Sequence, residues 1–432
     1  MDAVLYLLGI LFVIFGIAIS IGLHELGHFA PARFFGVRVK QFMVGFGPTV
    51  ISRRRGDTEF GIKAFPLGGY ILMAGMYPPE GKEYRGPFSN WIRDARQEIA
   101  SQLEQEDENR QFYKLSPIKK SIIMLGGPLM NFFLGILLIV TALSGIGTLQ
   151  NSLSVQQVYQ CIDTLSDGSC PAEAPASPAF EAGMLAGDRV VAVNSVPVQS
   201  WDEVTELLSE RGTGASQILV DRAGAQISLS LTPSYRERVV FDDSGNILQD
   251  AEGNPVTELS PIIGVRLVGQ SVPIGIADSL RYSLEATGAM FGFILQLPAQ
   301  IYQVTMSTFG LAERDPFGAV SIVGVGQIAG ELTAADIGID AKLASLLLLL
   351  GSLNIALFAF NLIPLLPLDG GHVLSAGYEA LKRGGAKLLG RKDPGPIDTA
   401  RVLPIAYFVW LLLIFTGLLL IFADLVNPIG FS

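Results

Sequence analysis

Two histidines four residues apart with a glutamate beside the first, in His24-Glu25-Leu26-Gly27-His28, are the side chains of this sequence best suited to chemistry. In a helix, positions i and i+4 share one face a turn apart, so both imidazoles can converge on a single ion. Zinc is the natural occupant of such a pair. Glu25 lies about 100° further round the helix, near enough to take a proton from water without becoming a ligand. The whole chain holds 3 histidines, and two of them fall here. A chance match in so histidine-poor a sequence arises in roughly one chain in hundreds. The alternative is a pair of buried histidines that only satisfy their own hydrogen bonds.

A two-histidine site lacks an oxygen ligand, and Asp369 in Leu368-Asp369-Gly370-Gly371-His372 can supply it, leaving a fourth position for water. The preceding apolar segment carries Asn354, Asn361, Pro364 and Pro367. An ionisable group inside a membrane helix costs about 2.5 to 3.5 kcal/mol, so polar residues there are functional candidates by default. The prolines free backbone carbonyls and unwind the helix end, which suits a site that must admit a peptide. His372 reads as a supporting or structural residue rather than a ligand.

These groups need long apolar elements to hold them. Half of the 432 residues are hydrophobic, and mean hydropathy is positive. Residues 3–23 have no charged side chain and are long enough to cross a bilayer. A signal peptide is disfavoured: the basic leader and small-residue cleavage site are missing, and the run leads directly into the histidine motif. Residues 118–146, 343–368 and 402–423 complete four spans. Residues 286–306 are apolar but carry Gln296, Pro298, Gln300 and Gln303, and read as an amphipathic segment lying on the membrane surface.

Residues 33–120 hold 15 of the 30 Lys and Arg, and a second basic cluster runs from Lys382 to Arg401. Both are expected on the cytoplasmic side, with the histidine motif towards that face and the acidic region between spans two and three outside. A net charge of -10 argues against a nucleic-acid partner. Cys161 and Cys170 fall in the outer region, where an oxidising compartment favours a disulfide between them over two free thiols.

Residues 37–75 alternate apolar and polar side chains between glycine-rich turns, among them Gly45-Phe46-Gly47-Pro48 and Pro66-Leu67-Gly68-Gly69-Tyr70, and read as β-hairpins associated with the membrane. An open strand edge beside a protease site can hold an extended peptide by strand addition, which makes Gly45, Phe46, Gly47, Gly68, Gly69 and Tyr70 candidate substrate contacts. A purely structural hairpin is equally compatible. Residues 76–115 are a cytoplasmic segment with an amphipathic helix over 88–114. In the second span, Gly126-Gly127-Pro128 permits a close helix contact, and Asn131 needs a partner. Residues 155–270 have the composition of a soluble domain. The order of helix-turn Ser177 to Asp188, strand, helix from Trp201 and hairpin is similar to a circularly permuted bacterial PDZ domain, a fold that takes peptides in a strand-helix groove. Residues 271–340 read as an amphipathic linker, 341–372 as the third membrane segment, 373–400 as a cytoplasmic loop and 401–426 as the fourth span.

Taken together, the two motifs resemble the site-2 protease family of intramembrane zinc metalloproteases, of the bacterial RseP type. His24-Glu25-Leu26-Gly27-His28 matches its first motif, and Asn361-Leu362-Ile363-Pro364 with Leu368-Asp369-Gly370 matches its second. The resemblance implies one zinc per chain held by His24, His28 and Asp369, Glu25 as general base, and Asn361, with Pro364, positioning substrate or stabilising charge. It implies a re-entrant β element around Gly45 to Gly47 and Gly68 to Tyr70. The fold it implies is an α-helical polytopic protein of the bacterial cell membrane, with four transmembrane helices (1–36, 116–147, 341–372, 401–426), a membrane-associated β-hairpin region and an extracytoplasmic PDZ domain. One departure is that a single PDZ domain is legible here, as in the single-PDZ branch. The substrate implied is a single-span membrane protein such as an anti-sigma factor or a remnant signal peptide, cleaved in the bilayer during regulated intramembrane proteolysis. The alternative is a membrane scaffold or chaperone that binds peptides through its PDZ groove and keeps a structural metal, which would need a fourth ligand such as His372. Metal transport is disfavoured, because no relay of further intramembrane carboxylates accompanies the site.

Overall fold

The protein is described from a computed structural model covering residues 2–78, 89, 92–93, 109–162, 170–171, 174–240, 256–312, 314–315 and 318–428. The expected amphipathic helix over 88–114 lies mostly outside these residues. The chain divides into a helical unit, residues 1–145 with 275–336 and 342–432, and a second unit formed mainly by residues 146–274.

The helical unit is built on four helices long and apolar enough to cross a membrane, spanning Ala3–Phe34, Pro117–Ile146, Ile339–Asn361 and Thr399–Val426. We denote the helices of this unit α1 (Asp2–Phe34), α2 (Pro117–Val140), α5 (Ile276–Thr308), α6 (Ile322–Ala334), α7 (Ile339–Asn361), α8 (Asp369–Leu388) and α9 (Leu403–Val426). With Phe15 of α1 68% exposed and Phe408 of α9 67% exposed, these helices turn large apolar side chains outward, as lipid-facing helices do. Small residues and a few hydrogen bonds join the helices where apolar burial supplies no driving force within lipid. Gly135 of α2 meets Gly351 of α7. Asn354 of α7 donates to the Ser20 hydroxyl of α1 at 3.0 Å, and Thr333 of α6 donates to the Leu5 carbonyl at 2.8 Å. A buried ion pair of Arg314 with Asp424 at 2.6 Å ties the chain before α6 to the end of α9, and Asp424 also accepts from the Ser321 backbone N–H that begins α6.

Three expectations are corrected here. Residues 341–372 are not one continuous helix: α7 stops at Asn361, where Pro364 and Pro367 follow, and a new helix begins at Asp369. Residues 373–400 are therefore largely the helix α8, not a loop. Residues 271–340, read as one linker, contain the two separate helices α5 and α6.

Between α1 and α2 lie two long strands, β1 (Val39–Arg55) and β2 (Thr58–Met73). Both bend at glycines in the left-handed region, Gly45 and Gly47 in β1 and Gly68 in β2. The bends fold a simple hairpin into a broader sheet, in which Met43 lies opposite both Tyr70 and Gly61.

In the second unit, β3 (Thr148–Val158) opens and β10 (Val265–Val272) closes a sheet of order β10-β3-β4-β6-β7. The sheet starts at 148 rather than 155, because Thr148 pairs with Val272 at the far end of the unit. Strands β4 (Arg189–Val193), β6 (Ser216–Arg222) and β7 (Ala225–Leu231) follow with β5 (Val196–Pro197), and the helices are α3 (Pro178–Glu181) and α4 (Trp201–Glu210). Alternate residues of β6, Ser216, Ile218 and Val220, are buried, and the last two share a core with Val204 and Leu208 of α4. Ser200 caps α4 by accepting from the Glu203 N–H, and Glu203 accepts in return from the Gln199 N–H. A ribbon of β8 (Ser234–Val239) and β9 (Thr257–Ile262) precedes β10. Cys161 and Cys170 are joined by a disulfide.

Asp188 organises this unit. Fully buried, it accepts from Arg222 Nε and Nη2 at 2.7 Å each and from the Leu185 N–H at 2.9 Å, while Arg222 also donates to the Gly183 carbonyl. The pair locks the turn after α3 onto β6. The Arg222 guanidinium holds the Asp188 carboxyl below the usual carboxylate range, whereas in the unfolded chain it titrates near about 3.9. The ionised form favours the fold, so this contribution is complete above about pH 4 and is lost as the pH falls through the lowered folded value. Asp188→Asn is expected to cost about 1.5 to 3 kcal/mol of local stability and to flatten the acid dependence below about pH 4. Amide hydrogen exchange across residues 182–222 in the full chain measures both, and unchanged protection would remove this role from the pair.

Candidate metal centre

The site begins where α1 and α2 cross. Gly27 and Gly126 face each other so closely that a methyl group on either would strike the other's backbone carbonyl, and Gly127 has no room for a side chain beside the His28 ring. This contact pins the histidines from behind. His28 Nδ1 lies 2.8 Å from the Ile123 carbonyl oxygen and donates its proton to it, leaving Nε2 as a lone pair. His24 Nδ1 lies 3.2 Å from the buried amide of Asn131, whose Oδ1 has no partner of its own. Turning that amide over lets Oδ1 accept from Nδ1–H, which leaves His24 Nε2 as a lone pair as well.

Asp369 arrives from the opposite direction. It is the first residue of α8, and Gly370 and Gly371 allow that turn to press against the backbone of Leu362, Ile363 and Leu365. Asp369 Oδ2 lies 3.3 Å from each of the two Nε2 atoms, which are 3.2 Å from each other. The Oδ2 atom is buried and accepts no hydrogen bond. Three acceptors thus face one another. Ligands at about 2.0 to 2.1 Å from a tetrahedral zinc are separated by about 3.3 Å, the spacing found here. Among the described residues, His24, His28 and Asp369 form the group of ligand-type side chains able to hold an ion, and His372 is not in it. His372 instead lines a small cavity with Met76, Lys120, Ser375 and Glu379.

Glu25 is 7% exposed, on the next face of α1. The bent sheet passes directly beside it: a side chain on Gly69 would come within 3.0 Å of Glu25 Cγ and 2.9 Å of the Met43 carbonyl. Phe46 and Tyr70 stack in the same sheet. Gly45, Phe46, Gly47, Gly68, Gly69 and Tyr70 therefore belong to one element, and Gly69 is the member that reaches Glu25. Asn361 ends α7 and Pro364 is exposed in the turn to α8; among the described hydrogen bonds, neither joins the histidine-aspartate group. The contacts of Asn131 and Ile123 to the rings went unread in the sequence. A polar residue in an apolar helix signals a buried partner, but not which one.

The profile of Peptidase family M50 matches residues 12–388, a stretch that contains both motifs. The chain belongs to Peptidase family M50. It is 31% identical over 433 residues to the zinc metalloprotease Rip1 of Mycobacterium tuberculosis, covering 98% of this chain and 99% of that one. It is 30% identical over 436 residues to the Rip1 of Mycolicibacterium smegmatis, with 98% of each covered. Against the metalloprotease MmpA of Caulobacter vibrioides the identity is 26% over 390 residues, with 88% of each covered.

In this M50 chain, Gly127→Ala places a methyl group on the His28 ring, and overpacking of this kind costs about 1 to 3 kcal/mol. The variant is expected to lose most of its bound divalent metal under conditions that saturate the parent, as measured by elemental analysis. Gly417→Ala, where a methyl group meets nothing within 4 Å, serves as the control. Equal metal content in both would show that the crossing does not position His28.

Proposed function

We propose that this M50 peptidase hydrolyses a peptide bond within or near the transmembrane segment of a single-span membrane protein. The observation that carries the reading is the meeting of three lone-pair donors from α1 and α8, at the edge length of a zinc tetrahedron, beside the carboxylate of Glu25. Since the donor set fits, His24, His28 and Asp369 would hold one zinc per chain. When bound, zinc supplies a Lewis acid that polarises the scissile carbonyl and eases ionisation of the attacking water.

Glu25 takes the proton as water attacks the carbonyl carbon and delivers it to the leaving amine nitrogen as the C–N bond breaks. Its burial keeps bulk water from competing for that proton. A substrate helix must unwind before its carbonyl can be attacked, and an extended segment needs backbone partners. Residues 69–73 of β2 pair with β1 on one side, and among the described residues no strand pairs with their other side. Substrate adds there as a further strand, running past Gly69 and Glu25. Asn361 and Pro364, at the broken end of α7, contribute to seating it. The active site lies towards the cytoplasmic face of the bacterial membrane and the second unit, a PDZ domain, outside. That domain screens or holds peptides, and the substrate is of the anti-sigma factor or remnant signal peptide type. The scaffold reading with a structural metal needs a fourth ligand, and His372 lies outside the group that would have to include it.

Glu25→Gln is expected to retain one zinc per chain while cleavage of a transmembrane peptide falls by about 10²-fold or more. Normal turnover by that variant would falsify the mechanism. Asn131→Leu removes the support behind His24 and is expected to weaken zinc affinity by about 10 to 100-fold. Asn131→Asp, which can still accept from Nδ1–H, restores it. Competition with a chelator measures both, and equal affinity in all three proteins would rule out Asn131 as the group that orients the ring.

A further inference from the structure

Helix α2 touches both halves of the metal centre. Its residues Lys120, Gly127 and Asn131 lie within about 40° of one another around the helix by the 3.6-residue period, and all three are buried. Gly127 leaves room for the His28 ring and Asn131 meets His24, so two of the three serve the histidines of α1. Lys120 reaches the other half. Its Nζ lies 2.8 Å from Glu379 Oε2 on α8, with the two side chains 8% and 3% exposed. Asp369, Ala376 and Glu379 follow at spacings of 7 and 3 residues, so the aspartate and the partner of the lysine lie on one side of α8. Glu379 Oε2 also accepts from the Ile397 N–H at 3.3 Å. Arg383, one turn further on, comes within 3.2 Å of Oε1 but makes no hydrogen bond to it. Lys120 is thus the group that ties this carboxylate to a second helix.

Asp369 needs such a tie. Among the described residues no donor reaches its Oδ2, and the Leu368 side chain gives α8 no cap. Gly370 and Gly371 bring the first turn hard against the backbone of Leu362, Ile363 and Leu365, which is a stop rather than a tether. On the outward side Leu374, Tyr378 and Leu381 are exposed, so among the described residues no packing there presses the helix onto α2. A cavity of about 20 Å³ beside Lys120, His372, Ala376 and Glu379 leaves the contact between the helices incompletely filled. A buried ion pair adds little net stability over an apolar replacement, but it fixes which residues of two helices meet.

We propose that Lys120 and Glu379 are positioning residues of the metal centre: their buried ion pair sets where α8 sits along α2 and so holds the Asp369 carboxylate against the two histidines. Glu379 lies about 15 Å along α8 from Asp369, and a continuous helix carries a displacement from one end to the other. Zinc–oxygen bonds are about 2.0 to 2.2 Å long, so a slide of about 1 Å at the aspartate takes its oxygen beyond bonding distance. The inference deepens the metal-centre reading and rests on it.

The test measures the zinc affinity of the full chain in detergent micelles by competition with a chelator, with and without Asp369. In Lys120→Met combined with Glu379→Met the charges leave together and apolar side chains fill the space, an exchange that buried ion pairs commonly tolerate. This variant is expected to unfold at the temperature of the parent and to bind zinc at least about tenfold more weakly. Its cobalt-substituted form shows an altered visible absorption as the carboxylate leaves the ion. Lys120→Arg, which keeps a cation opposite Glu379, restores both readings. In an Asp369→Asn background the same double substitution changes affinity by less than about twofold, because the ligand it positions is already gone. Lys120→Gln, whose shorter amide still donates to Glu379, runs through the same cycle if the double variant does not fold, and its loss too must vanish without Asp369. Parent affinity in the charge-free variant, or an equal loss with and without Asp369, overturns the proposal. Zinc affinity indifferent to Asp369→Asn overturns the metal-centre assignment and the proposal together, whereas dependence on Asp369 but not on the pair overturns the proposal alone. The measurement requires no peptide cleavage, so a chain that cleaves nothing would sink the peptidase reading and leave the role of the pair standing.

Discussion

The structure depends on a repulsion that the helices are built to withstand. Three acceptor atoms, two imidazole nitrogens and a carboxylate oxygen, face one another at 3.2 to 3.3 Å. Left to themselves the rings would turn away and the carboxylate would seek a donor, since a buried unsatisfied acceptor costs about 1 to 3 kcal/mol. They stay because each is fixed from behind: His28 by the Ile123 carbonyl, His24 by Asn131, and Asp369 by a turn whose glycines admit no side chain. The close passage of Gly27 past Gly126 makes the first two possible, since it brings the α2 backbone within reach of the rings. A cation held by the three atoms completes this arrangement.

The bent sheet is the second constraint. A strand edge inside the apolar part of a bilayer is tolerated only when protein or a cavity covers it. Here the strands double back at Gly45, Gly47 and Gly68, so that one stretch of β1 is paired on both sides and the part nearest Glu25 is a glycine with no side chain to intervene. Backbone rather than side chain is thus presented to the Glu25 carboxylate. Under the proposed function, that favours recognition by extended main chain over recognition of a particular residue.

Much of this was legible in the sequence because it is written in short-range patterns. The i, i+4 histidines, the aspartate followed by two glycines, and the uncharged runs of about twenty residues each carry their geometry within one turn or one helix. What was not legible is set by pairing between distant segments. Asn131 announces that it needs a partner, yet only the helix crossing assigns it to His24. The hairpin glycines marked turns, but that they bend continuous strands depends on register between β1 and β2. Residues 373–388 looked like a basic loop because their buried positions, Ala376 and Glu379, are short on hydrophobes. The burial of Glu379 rests on the ion pair with Lys120, 259 positions earlier, a partner that hydrophobic periodicity does not reveal.

The pairing of Thr148 with Val272 has an implication for how such chains vary. The chain leaves the helical unit after Gly145 and returns at Gly275, and the strands next to those two points are neighbours in a single ladder. Everything between them is a cassette with adjoining ends. Lineages can lengthen it, double it or trade it for another fold while the paired strands keep the two ends together, so this unit is free to diverge while the helical unit stays constant.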